Sequence, residues 1–177
     1  MLKRTATYTL IAVICGAYLL QLLVPTIEPH LVLPNFDYLT ATNEWYRLFT
    51  VALVHAGLMH LGFNMYALMV LGNPLEAAFG KQKVLTIFFF SLLTGSLAST
   101  YFASASSYSV GASGAIFGLF GALAVVGKKI GADTREIYIV IGINFAIGFI
   151  FGGIDWHAHL GGLIGGLLAA QLLLNKR

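Results

Sequence analysis

Six stretches of this chain carry no aspartate, glutamate, lysine or arginine: Tyr8–Val24, Phe49–Leu71, Val84–Phe102, Val110–Val126, Ile137–Ile154 and Ala158–Leu174. Each approaches the ~17–25 apolar residues that a helix needs to cross about 30 Å of hydrocarbon. Charged residues make up only 10% of the 177 positions and mean hydropathy is +0.85. A soluble domain averages about 25% charge, so this chain lacks the residues to solvate a globular surface. The pattern predicts an all-α membrane protein, a six-transmembrane-helix bundle. Most connections are short, which predicts a single domain over 1–177 with spans near 8–24, 57–71, 84–102, 110–126, 137–154 and 158–174. The exception is a first loop over 25–47.

Lys3 and Arg4 precede the first stretch as they would in a signal peptide, but Pro25-Thr26-Ile27-Glu28-Pro29 offers no small-x-small cleavage site. The stretch therefore reads as a retained helix. Its lone Cys15 can form no internal disulfide. The net charge of +3 is scattered among loops and gives no reason to expect nucleic acid.

Six spans would place both termini on one side, together with Lys3, Arg4, Lys81, Lys83, Lys128, Lys129, Arg135, Lys176 and Arg177; the other side would hold Arg47. The positive-inside rule then predicts cytoplasmic termini. All five histidines (His30, His55, His60, His157 and His159) and Ser113 fall toward the outer side. The second, fourth and sixth spans run in parallel, so their beginnings share the outer half of the membrane.

A serine in a membrane helix is commonly a packing residue bonded to its own backbone. Ser113 has a more suggestive setting. Gly111 and Gly114 strip side chains from its flanks and permit close approach of a substrate backbone. As an early residue of the fourth span it lies near free N–H groups and the positive end of the helix dipole, which suits an oxyanion. Gly111-Ala112-Ser113-Gly114 is not a Gly-x-Ser-x-Gly elbow, because Ala115 follows and no strand precedes, so an α/β-hydrolase is excluded.

His159 opens the sixth span among Gly161, Gly162, Gly165 and Gly166. Gly162 and Gly166 form a small-x-x-x-small pair that lets a neighbouring helix approach closely, while the bland alternative is an interfacial histidine. His60 and Asn64, four residues apart, share one helical face and are costly in lipid. They suit an oxyanion hole, or simple interhelical hydrogen bonding. His55 is read as organising the loop end. Zinc is disfavoured, because no His-x-x-x-His pair or accompanying carboxylate is present. Asp155 is read as a water-facing residue at a loop end, leaving a Ser–His dyad rather than a triad.

Together these segments resemble the rhomboid family of intramembrane serine proteases. Gly111-Ala112-Ser113-Gly114 is similar to the family's Gly-x-Ser-Gly motif, and Ala158-His159-Leu160-Gly161-Gly162, with Gly166, to its Ala-His-x-x-Gly segment. His55, His60 and Asn64 match the spacing of its His-x4-His-x3-Asn segment, and Tyr46-Arg47 its Trp-Arg element. Phe117 stands where many members have tyrosine packed against the imidazole, so a ring stack is retained without its hydroxyl. The resemblance is to the minimal six-helix bacterial-type form, without a seventh helix or an added cytoplasmic domain.

The resemblance implies Ser113 as nucleophile and His159 as general base and acid. It implies an oxyanion hole from the Ser113 N–H, His60 and Asn64, with Gly111, Gly114, Phe117, His55, Gly162, Gly166 and Arg47 in support. No cofactor or metal is expected. The expected partners are lipids and single-span transmembrane substrates, cleaved near their outer end from a bacterial inner membrane. Two rivals are a rhomboid-like protein that binds membrane clients without cutting them, and a transporter or proton pathway through His60, Asn64 and His159. No internal repeat supports the transporter. Asn144 in the fifth span is left between a gating role and a bond to a neighbour.

Overall fold

The structure, a computed structural model, describes residues 5–102, 104, 107–151 and 153–174, with the backbone alone for 147–151. Four of the charges in the orientation count, Lys3, Arg4, Lys176 and Arg177, lie outside the described residues, as do Gly152 and parts of the 103–109 linker. Among the described residues six helices are long: α1 (Ala6–Leu23), α5 (Leu58–Phe79), α6 (Lys81–Phe102), α7 (Ser113–Val126), α8 (Thr134–Phe151) and α9 (Trp156–Leu173). Between α1 and α5 lie three short helices: α2 (Glu28–Leu31), α3 (Phe36–Thr42) and α4 (Arg47–Thr50). Among the described residues, α1, α6 and Ser113–Ile130 are each long and apolar enough to cross a membrane. Arg47–Leu53 with α5, bent by 101°, makes a possible fourth span.

The centre of the bundle is α7, of which Gly114 to Leu123 is buried without interruption. It packs against α6, α9 and α5; α1 lies outside α5, and α8 touches chiefly α7. The α7–α9 approach is closer than side chains permit. A Cβ on Gly162 would collide with the Gly114 carbonyl, and one on Gly166 with the Gly118 carbonyl. The small-x-x-x-small spacing thus works as backbone-to-backbone contact, the means by which lipid-embedded helices gain packing without a hydrophobic driving force.

The second helix differs from its apolar stretch at both ends. It begins at Leu58, after the bend, and runs to Phe79 through Pro74, where the apolar count stopped at Leu71. The added turns carry Glu76. Its carboxylate accepts hydrogen bonds from Ala6 N (2.7 Å), Thr7 N (2.9 Å) and Thr7 Oγ1 (2.7 Å). The first N–H groups of α1 have no partner within the helix and are costly to leave bare in an apolar setting. A carboxylate there also complements the helix dipole, so a charge in the last turns of α5 closes another helix.

The long first loop is built of short helices around a buried cation. Arg47, 2% exposed, donates from Nη1 to the carbonyls of Pro29 (2.6 Å) and Val32 (3.0 Å), and from Nε to Glu44 (2.7 Å). Pairing and full hydrogen bonding offset the cost of burying the charge. Hydroxyls on α6 hold the loop from the other side: Ser96 Oγ donates to Leu48 O (2.8 Å) and Thr100 Oγ1 to Pro34 O.

Replacing Gly166 by alanine should destabilise the bundle by about 1–3 kcal/mol, because the added methyl forces two backbones apart. Gly16 on α1 has open space where its Cβ would stand, so Gly16→Ala should cost nothing. Reversible unfolding in mixed micelles compares the two; equal effects would refute the backbone-contact account.

Candidate active site

Ser113 is the first residue of α7, and the chain leading into it is held by main-chain bonds. Leu33 and Ser109 exchange both hydrogen bonds in an antiparallel bridge (3.0 and 2.8 Å), and Gly111 N donates to Val51 O (2.9 Å). Gly111 adopts φ +110°, a region that favours glycine, and a Cβ there would stand 2.8 Å from the His60 ring. A side chain at 111 would therefore strain the turn and displace His60 together.

The N-terminus of α7, like that of α5, lacks a side-chain cap. Thr5 and Glu76 serve the start of α1, and Asp155 caps α9, whereas no side chain caps α7. The unpartnered N–H groups of a first helical turn are ready donors for an anion. They stand beside the Ser113 hydroxyl.

His159, the fourth residue of α9, is 6% exposed, and its Nε2 lies 2.9 Å from Ser113 Oγ. Phe117, one turn beyond Ser113 on α7, stacks on the imidazole at 4.1 Å between centroids and 9° between planes. Phe145 of α8 approaches edge-on at 6.5 Å. The serine and histidine that lay 46 positions apart in sequence are brought into hydrogen-bond contact, with an aromatic wall on the ring's face. His159 Nδ1 has no hydrogen-bond partner among the described residues.

The His60 ring borders Gly111. Its Nδ1 accepts from Ala56 N at 3.4 Å, which assigns the proton of the neutral imidazole to Nε2, the nitrogen on the Gly111 side. Asn64, 6% exposed, donates from Nδ2 to His60 O (2.9 Å). One N–H of its amide is thereby used within α5, and the second is left available. His55 is buried against Tyr18 and His60, with ring centroids 6.4 and 5.1 Å away. Arg47 serves the loop, as described above, and Gly114, Gly162 and Gly166 serve the helix contact. Asn144 donates to Val140 O of its own helix (2.8 Å).

Three polar residues that carried no motif turn out to shape the site. Gln21 of α1 clamps the His55 backbone, donating to His55 O (2.9 Å) and accepting from His55 N (3.0 Å). Asp155 is not simply turned to water: it accepts from Ala158 N (3.0 Å) and from Ser99 Oγ of α6. The available signal was a polar residue amid apolar sequence, which in lipid asks for a partner.

The chain is similar to known proteins over most of its length. The family model described as the Rhomboid domain matches residues 42–176, which include Ser113, His159, His60 and Asn64. Over 141 residues (76% of this chain) the sequence is 43% identical to the rhomboid protease GluP of Bacillus subtilis, covering 27% of that protein. It is 38% identical over 144 residues to the putative rhomboid protease YdcA of the same organism, covering 77% of this chain and 71% of YdcA. It is 39% identical over 140 residues to RHOMBOID-like protein 1 of Arabidopsis thaliana, covering 75% of this chain and 35% of that protein. The chain thus spans only about a quarter to a third of two of these relatives. With the model matching most of its length and the helical membrane bundle in place, the chain belongs to the rhomboid family.

Proposed function

We propose that the protein is an intramembrane serine endopeptidase that cleaves transmembrane segments near their outer end. The observation that carries this reading is the 2.9 Å contact between His159 Nε2 and Ser113 Oγ at the uncapped start of α7. His159 takes the hydroxyl proton as Ser113 Oγ attacks the scissile carbonyl carbon. The oxyanion of the tetrahedral intermediate receives hydrogen bonds from the Ser113 N–H, His60 Nε2–H and Asn64 Nδ2–H. The intermediate collapses as the imidazolium returns its proton to the leaving amine. Water, deprotonated by His159, then attacks the acyl-enzyme and releases the new carboxyl terminus. Phe117 holds the imidazole plane and shields the transient cation on one face.

Water has to reach this site. Lys128 and Lys129, just beyond α7, suit a membrane–water interface. Ser113 lies 15 residues earlier, about 22 Å along a helix. In about 30 Å of hydrocarbon the nucleophile would therefore sit some 8 Å below the opposite edge, within a hollow open to that side. Charge counting makes that side extracytoplasmic, with both termini cytoplasmic, in a bacterial inner membrane. Substrates are single-span helices that unwind readily near their outer end, because a hydrogen-bonded helix does not offer its carbonyls to attack. In this reading α1 and the first loop belong to one domain with the site helices, since Glu76 closes α1 and Gln21 holds His55.

Purified protein in proteoliposomes should cleave a model single-span substrate, and Ser113→Ala or His159→Ala should reduce kcat to background, a loss of about a thousandfold or more. Ser113 should react with a fluorophosphonate only while His159 is present. Unchanged cleavage by either variant would sink the dyad, and a wild-type protein that binds the substrate without cutting or labelling would favour the client-binding rival. His60→Ala and Asn64→Ala should each lower kcat about tenfold to a thousandfold with little change in KM, the signature of donors used in the transition state. An effect confined to KM would remove them from the oxyanion hole.

A further inference from the structure

The base in the proposed dyad is held on one side only. Its Nε2 meets Ser113, its face meets Phe117, and Nδ1 has no hydrogen-bond partner among the described residues. In a serine triad a carboxylate grips that second nitrogen and fixes the ring. Here the placement of the imidazole has to come from the backbone that carries it, the first turn of α9.

That turn is fixed at two levels. Below the histidine, the glycine contacts with α7 set the helix distance. Above it stands Asp155, four residues before His159 and the N-cap of α9. Its Oδ1 accepts from Ala158 N (3.0 Å), its Oδ2 accepts from Ser99 Oγ, and its carbonyl accepts from His159 N (3.2 Å). Ser99 is 4% exposed on α6 and the Asp155 side chain 26% exposed, so the bond is shielded from water on the Ser99 side. The same turn is wedged tightly: Ala158 O lies where a Cβ on Gly95 of α6 would come within 2.8 Å, and one on Gly114 of α7 within 3.2 Å.

We infer that Asp155 is a positioning residue for His159: its carboxylate bolts the first turn of α9 to Ser99 of α6 and thereby sets where the imidazole stands relative to Ser113. The inference rests on the proposed Ser113–His159 reading. The carboxylate does for the backbone what a triad carboxylate does for the ring. The role belongs to its hydrogen bonds rather than its charge. Asparagine at 155 would retain an oxygen for Ala158 N, with its amide turned to the Ser99 hydroxyl, which can rotate to accept.

The test uses the full chain in proteoliposomes, with kcat, KM and fluorophosphonate labelling rate measured on a single-span substrate. Asp155→Ala should lower kcat and labelling about tenfold to a hundredfold, the scale of a small misplacement of a catalytic group, while KM stays within about twofold. Asp155→Asn should return activity to within about threefold of wild type. Ser99→Ala should lower kcat in the same direction, and Ser99→Ala with Asp155→Ala should lose no more than Asp155→Ala alone, because Asp155→Ala already removes the Ser99 contact. Asp155→Asn as impaired as Asp155→Ala would overturn the inference in favour of a charge effect. Wild-type kcat in Asp155→Ala, or a change in KM alone, would overturn it outright. If Asp155→Ala does not fold, Ser99→Ala decides: a fall in kcat supports the tether and an unchanged kcat refutes it. Amide exchange in the first turn of α9 should rise in Ser99→Ala irrespective of activity. Cleavage surviving in Ser113→Ala would therefore condemn the dyad while the exchange still reported on the tether.

Discussion

The approach of α9 to α7 is limited by carbonyl oxygens rather than side chains, and the candidate site follows from that limit. Gly114 and Gly118 on one helix face Gly162 and Gly166 on the other, and a methyl group at either of the latter has no place to go. Dispersion between backbones at this range is the main adhesive available where lipid competes equally for apolar side chains. The first glycine of each row lies near a member of the candidate pair: Gly114 follows Ser113, and Gly162 lies three beyond His159. Any loosening of the helix contact is a loosening of the 2.9 Å contact between the two side chains.

Helix ends supply the second theme. A helix within the bilayer has free N–H groups at its start, and this chain treats its starts differently. Acidic residues close α1 and α9 through Glu76 and Asp155. The starts of α5 and α7 are left without a side-chain cap, the latter at Ser113. The cost of leaving such groups bare is largest in apolar surroundings, and water or a reacting carbonyl lowers it. An uncapped start beside a serine is therefore consistent with a site that admits water.

Ser113, His159, His60, Asn64 and the glycine rows were legible because local sequence spells them out: short motifs, four-residue spacing and absence of charge. The helical membrane bundle was legible from the uncharged stretches alone. Features that depend on partners far along the chain were not. Glu76 lies beyond the apolar stretch that ends at Leu71, and hydropathy cannot see the N-terminus of α1 that it serves. Gln21 looked incidental until it met the His55 backbone. Asp155 looked exposed because its acceptor geometry involves Ser99, 56 positions earlier. A buried polar side chain declares that a partner exists, but only the fold says which.

The antiparallel bridge between Leu33 and Ser109 joins the first loop to the approach to Ser113 through main-chain atoms alone, and Gly111 bonds Val51 beside it. These bonds use no side chain, yet their residues are fixed in other ways: Leu33 and Val51 are buried, and Gly111 holds a φ that favours glycine. A displacement of the first loop is therefore carried by the backbone itself to the turn that holds Ser113, whatever stands at the loop's exposed side chains.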